Sequence, residues 1–147
     1  MKGISCEVRP PQGQCLVWSD VDKLRQIMLN LLVNAIKFTS TGGRIALDVV
    51  DRDATADVVY LRVRDTGVGV AREKQDMIFD PFVQVRRTPM QVIEGVGPGL
   101  TISRDLARGM GGDLRVRSRE GHGSTFTLTL RRVGEGAESP GRPVVSR

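Results

Sequence analysis

The chain has 147 residues, 39% hydrophobic and 27% charged, with a formal charge of +5. That make-up is one of a single soluble globular domain and excludes a disordered or collagen-like chain. No apolar run approaches the ~20 residues of a membrane span, and Met1-Lys2-Gly3-Ile4-Ser5 lacks an apolar signal core. Cys6, Cys15 and His122 are too few for a disulfide scaffold or a closed zinc site. The basic residues are mostly arginine, spread along the chain, and only six residues are aromatic. Neither the basic cluster nor the stacking rings of a nucleic-acid binder stands out. An anionic small ligand stays open.

Residues 3–9 and 14–18 read as short extended segments around the turn Pro10-Pro11-Gln12-Gly13. Ser19-Asp20 offers a helix N-cap, with Asp22 in the first turn. From Val21 to Phe38, Leu24, Met28, Leu31, Leu32 and Ala35 recur at helical spacing, and Gly42-Gly43 ends the unit. Residues 44–50 and 58–63 read as an antiparallel strand pair across a turn at 53–57. Residues 83–98, with Pro89, Gly95, Gly97 and Pro98, read as a loop. Residues 100–110 are helical again. Leu114-Val116 and Phe126-Leu128-Leu130 read as a second strand pair across Glu120-Gly121-His122-Gly123. The domain spans 1–132, and 133–147 reads as a flexible tail or linker. This order predicts an α+β two-layer sandwich, a mixed and mostly antiparallel sheet with about three helices on one face.

Four groups of residues carry chemistry. On the first helix Lys23, Gln26, Asn30, Asn34 and Lys37 fall within an arc of about 80°. Such a stripe is either a solvated face or, with two amides and a lysine, one side of a metal–phosphate site, since Mg²⁺ takes hard oxygens and keeps several waters. Asp65-Thr66-Gly67-Val68-Gly69-Val70 follows a strand. It is either a capped turn or a close-approach loop whose carboxylate accepts from an exocyclic amino group such as adenine N6. Gly95-Val96-Gly97-Pro98-Gly99-Leu100 runs into a helix, where free N–H groups make an anion site. It lacks the Gly-Lys-Ser/Thr of a Walker loop and the upstream strand of a dinucleotide fingerprint. Gly121-His122-Gly123-Ser124-Thr125-Phe126 reads as a hairpin turn, with no acid spaced to make His122 a catalyst.

In this order the segments resemble the ATP-binding catalytic domain of sensor histidine kinases, within the gyrase, heat-shock chaperone, histidine kinase and mismatch-repair ATPase superfamily. "DKLRQIMLNLLVNAIKF" at 22–38 looks like the N box, "DTGVGV" at 65–70 the first glycine box and "IFDPFVQ" at 78–84 the F box. "GVGPGL" at 95–100 looks like the second glycine box and "GHGSTFTLTL" at 121–130 the closing segment. The resemblance covers roughly residues 3–132 and implies the Bergerat-type ATP-binding fold. It implies ATP and Mg²⁺ as cofactors. Asn34 would coordinate Mg²⁺ with Asn30 beside it, and Lys37 would contact phosphate. Phe38 would pack on adenine, Asp65 would accept its N6 proton, and Gly67 and Gly69 would shape that pocket. Phe79 and Phe82 would anchor a lid over residues 83–98, poorly ordered without ligand. Gly95, Gly97 and Gly99, with Leu100, would close it on the nucleotide; Arg86 and Arg87 are candidate lid cations. Thr125 would lie near the adenine.

Pro98 departs from the family, because proline has no N–H to offer phosphate. The phosphoacceptor histidine of this family lies on a separate helical dimerisation domain, which does not precede residue 3. No catalytic side chain is therefore assigned within this chain, and little transfer is expected from it alone. Its implied partners are ATP, that histidine-bearing domain and a downstream response regulator, with no nucleic acid and no membrane contact. The isolated domain is expected to be a monomer in the cytoplasm, with anchoring of the full-length protein left open. Hydrolase relatives place a glutamate base where this chain has Asn30, and an amide cannot take a proton from water near neutral pH. An anti-sigma-type serine kinase, or a nucleotide-binding module without transfer, are the alternatives.

Overall fold

Asp20 starts the long helix α1 (Val21–Phe38) by accepting hydrogen bonds from the Asp22 and Lys23 N–H groups, at 3.0 and 3.2 Å. This satisfies two of the donors that a helix start leaves free. Thr39 closes the other end, its N–H and hydroxyl both donating to the Ala35 carbonyl. Ile27, Leu31 and Ala35 point into the core at helical spacing. The computed structural model describes residues 3–11, 15–51, 57–80, 99–133 and 143–146. The segment expected to form the lid, with Phe82, Arg86, Arg87, Gly95, Gly97 and Pro98, lies outside them.

The strands are β1 (Ser5–Arg9), β2 (Cys15–Trp18), β3 (Arg44–Val50), β4 (Val58–Asp65), β5 (Asp113–Arg119), β6 (Gly123–Arg132) and β7 (Pro143–Ser146). They form one sheet in the order β1-β3-β4-β6-β2-β7, with β5 beside β6 along the edge that β2 continues. Only β1 against β3 is parallel; the other pairings are antiparallel. Both expected strand pairs form, β3 with β4 and β5 with β6. The two N-terminal segments do not pair with each other. They flank the sheet on opposite sides, β1 beside β3 and β2 beyond β6. The expected tail carries a strand at its end, β7, paired with β2.

The helix α2 (Gly99–Gly109) and two short 3-10 turns, Arg72–Lys74 and Met77–Phe79, complete the described elements. One sheet face is apolar: Val59, Leu61 and Val63 of β4 and Phe126, Leu128 and Leu130 of β6 are buried with Ile27, Leu31, Leu100 and Ala107 of the helices. This is the α+β two-layer sandwich that the sequence predicts. No helix among the described residues is long and apolar enough to cross a membrane.

Candidate nucleotide site

β4 ends at Asp65, where the chain leaves the sheet edge-on to the C-terminal end of α1. The turn that follows is tied on both sides. Val68 donates to the Phe38 carbonyl at 3.2 Å, and Gly121 donates to the Val68 carbonyl at 2.6 Å. These contacts explain the glycines. A Cβ at Gly67 would collide with the Phe38 carbonyl and stand 2.8 Å from the Asp65 carboxylate. Gly69 has φ +71° and packs on the Arg119 carbonyl. Close approach is thus needed, but by backbone to backbone rather than by backbone to ligand.

The turn carries Asp65 into a cleft beneath α1. Asn34, Phe38, Asp65, Gly69 and Leu100 line it, together with Val68, Val70, Ile78, Ser124 and Phe126. The two groups assigned to opposite ends of a nucleotide therefore share one cavity. Its enclosed part is narrow, about 20 Å³, room for a single water. Burial pushes the Asp65 carboxyl above the ordinary range, while N–H groups of Gly67 (2.8 Å) and Ser124 oppose that shift. Those donors orient the carboxylate without neutralising it. Asn34 is buried, at 6% exposure, and its side chain lines the cleft. Its amide opens onto the cleft, where a ligand can reach it.

Other expected residues sit elsewhere. The Asn30 amide donates to the Gly99 carbonyl (3.3 Å) and the Ser103 hydroxyl (3.0 Å), so in this state it ties α1 to α2. Lys37 is exposed and does not line the cleft. Phe79 is buried behind it, edge-on to Phe126 with ring centroids 6.4 Å apart and with the Arg104 guanidinium 4.6 Å above its ring. Thr101 donates to the Phe79 carbonyl at 3.0 Å, which joins α2 to the F-box segment. Thr125 requires a correction. Along β6 the even positions face the helices, so Thr125 points to the opposite sheet face and Ser124 takes the place in the cleft. The signal was present in the alternation of Phe126, Leu128 and Leu130.

Ser124 is also part of the cleft floor. Its hydroxyl lies 2.7 Å from the Ser118 hydroxyl, which accepts from the Val70 N–H at 2.7 Å. Gln75 donates to the Val70 and Ser118 carbonyls, at 3.1 and 2.8 Å. Neither Ser118 nor Gln75 was legible as a site residue; long-range pairing alone brings them there. His122 lies in the β5–β6 turn and lines the other face.

Residues 19–134 match the family of histidine kinase-, DNA gyrase B- and HSP90-like ATPases. The chain belongs to that family, and within it is an ATP-binding catalytic domain of the sensor histidine kinase type. It is 42% identical over 115 residues to the aerobic respiration control sensor protein ArcB of Escherichia coli, covering 78% of this chain and 14% of ArcB. A mycobacterial sensor histidine kinase, MprB, superimposes with a TM-score of 0.71 at 26% identity, covering 88% of this chain and 83% of that one. Full-length ShkA, solved in complex with AMPPNP, gives a TM-score of 0.70 at 33% identity over 90% of this chain and 27% of its own. The chain spans about a quarter or less of the length of the curated relatives that head the comparison.

Proposed function

We propose that this chain binds ATP with Mg²⁺ and presents the γ-phosphoryl group to a histidine on a separate dimerisation domain, from which it passes to a response regulator. The observation that carries this reading is that Asn34 and Asp65 line one cleft. Asp65, held as an acceptor by Gly67 and Ser124, suits the adenine N6 amino group. Phe38 and Ile78 offer apolar walls to the ring. The Asn34 amide, lining the cleft, suits a hard cation that also takes phosphate oxygens and waters. Bound there, Mg²⁺ would neutralise phosphate charge. Lys37, one turn beyond Asn34, would contact phosphate in this reading.

Phosphoryl transfer asks mainly for positioning and charge neutralisation, and the acceptor histidine supplies the nucleophilic nitrogen. That ShkA was solved in complex with AMPPNP supports nucleotide binding in this reading, and the segment 83–98 is the proposed lid. Residues 1–132 form the catalytic unit in this reading, working on the cytoplasmic side. Calorimetric titration with a non-hydrolysable ATP analogue, with and without Mg²⁺, tests the site: Mg²⁺-dependent binding is expected, and its absence refutes the assignment. Labelled ATP mixed with a separate dimerisation domain tests transfer. Binding without histidine phosphorylation would leave a nucleotide-binding module.

A further inference from the structure

The arginines that look dispersed in the sequence converge on the sheet face that carries no described helix. Strand alternation places Arg62 and Arg64 of β4 and Arg115, Arg117 and Arg119 of β5 there. Arg9, Arg44 and Arg131 join them from β1, β3 and β6. Eight arginines thus share this face with three carboxylates, Glu7, Asp48 and Asp113, the last of which also pairs with Arg104 and Arg108 of α2. The excess of five equals the formal charge of the chain, so the remaining 14 basic and 14 acidic residues balance.

The carboxylates hold part of this array. Asp48, with its side chain 5% exposed, lies 2.7 Å from the Arg64 Nε, 3.6 Å from Arg62 and 3.8 Å from Arg9. These are charge contacts rather than aligned hydrogen bonds, and one buried aspartate cannot neutralise three cations. Arg44, Arg117, Arg119 and Arg131 are exposed and have no ion pair among the described residues. Two adjoining hollows of about 720 and 800 Å³ share Arg64, Arg117 and Thr125 as lining, the first reaching Asp65 and Ser124 at the end of the sheet.

Arg115, Arg117 and Arg119 recur at every second residue, roughly 6.7 Å apart, the repeat at which an extended polypeptide presents alternate side chains. Guanidinium forks take carboxylates in bidentate pairs. Between the arginine columns β6 offers Thr125, Thr127 and Thr129, hydroxyls rather than rings. Readers of single-stranded nucleic acid stack bases on aromatic side chains; among the described residues this face has Tyr60 on β4 and Trp18 on β2, opposite Arg131, and neither lies between the β5 and β6 columns. We propose that the helix-free face docks an acidic polypeptide in extended form along β5 and β6, on the side of the sheet away from the nucleotide cleft. Five strands at about 4.8 Å span roughly 20 Å, an area suited to a charge-steered, short-lived contact.

The test is fluorescence anisotropy of a labelled octaglutamate peptide against the full chain, repeated with a uridine octamer. Saturable octaglutamate binding is expected to weaken about tenfold in Arg44→Gln/Arg117→Gln/Arg119→Gln. It should hold in Arg25→Gln/Arg72→Gln/Lys74→Gln, which removes the same charge away from this face. If the first variant loses its circular dichroism signal, Arg117→Glu alone is read for the same loss. ATP-analogue affinity is measured in parallel and should be unchanged, so this result is separable from that of the cleft. Three outcomes overturn the proposal: no octaglutamate binding, equal loss in both triple variants, or tighter binding of the uridine octamer through the same arginines.

Discussion

On β4 the odd residues Val59, Leu61 and Val63 are buried beneath helices, while the even residues Tyr60, Arg62 and Arg64 face away from them. On β6 Phe126, Leu128 and Leu130 alternate with Thr125, Thr127 and Thr129 in the same way. One sheet therefore presents a dry face, with a narrow cleft holding one carboxylate and one amide, and a wet face dominated by arginine. The dry face can make a polar group expensive to leave unpaired, and so can make it selective. The wet face cannot, since exposed charges are screened over about 10 Å at ordinary salt. Specific small-ligand recognition belongs to the first face and steering to the second.

The strongest way to break this contrast is Asn34→Ala. Mg²⁺-dependent ATP binding should fall on the order of 100-fold, with the fold retained, because the lost amide faces the cleft. Unchanged Mg²⁺–ATP affinity by calorimetry would remove the metal assignment. Gly67→Ala comes next. Its Cβ would meet the Phe38 carbonyl and the Asp65 carboxylate, an overpacking cost of about 1–3 kcal/mol. Gly121→Ala has open space around it and only the strain of φ +81°, about 1–2 kcal/mol. Denaturant unfolding of the two variants measures the packing contribution, and Gly67→Ala should be the less stable.

Asp65→Asn should weaken ATP about tenfold or more, as expected for a hydrogen bond to a charged group, and relax selection against GTP. The pH dependence has a definite sign. The folded pKa of Asp65 is raised by burial above its unfolded value. Its contribution to stability is therefore full below the unfolded pKa and lost as pH rises through the folded one. Burying this carboxyl disfavours its charged form in the free protein, so Asp65→Asn should melt no lower than the parent. ATP binding runs the other way, weakening as pH falls through that raised pKa and the acceptor is protonated. An ATP/GTP ratio unaltered by the substitution would count against adenine recognition there.

The smallest effects separate neighbours on one strand. Ser124→Ala should weaken ATP binding a few-fold, roughly 1 kcal/mol for one neutral hydrogen bond, because it opens the Ser118–Ser124 contact in the cleft floor. Thr125→Val, one residue along and on the other face, should leave nucleotide affinity unchanged. Equal losses in both would undo the division of the sheet into two faces.

Much of this was readable before any coordinates. The Asp20 cap, the α1 periodicity, the β3–β4 and β5–β6 pairs and the order of the motif segments rest on interactions within a few residues or across one turn. Those interactions are written directly in spacing and turn chemistry. What the sequence could not decide is which distant strands become neighbours. Residues 5–9 and 15–18 look alike as extended segments, yet one pairs parallel to β3 and the other lies beyond β6. The meeting of Asn34 with Asp65 and the gathering of eight arginines from five strands on one face depend on that choice. Strand order is set by burying a shared apolar face between residues far apart in the chain. Only the folded sheet therefore determines which polar residues end up together on its two sides.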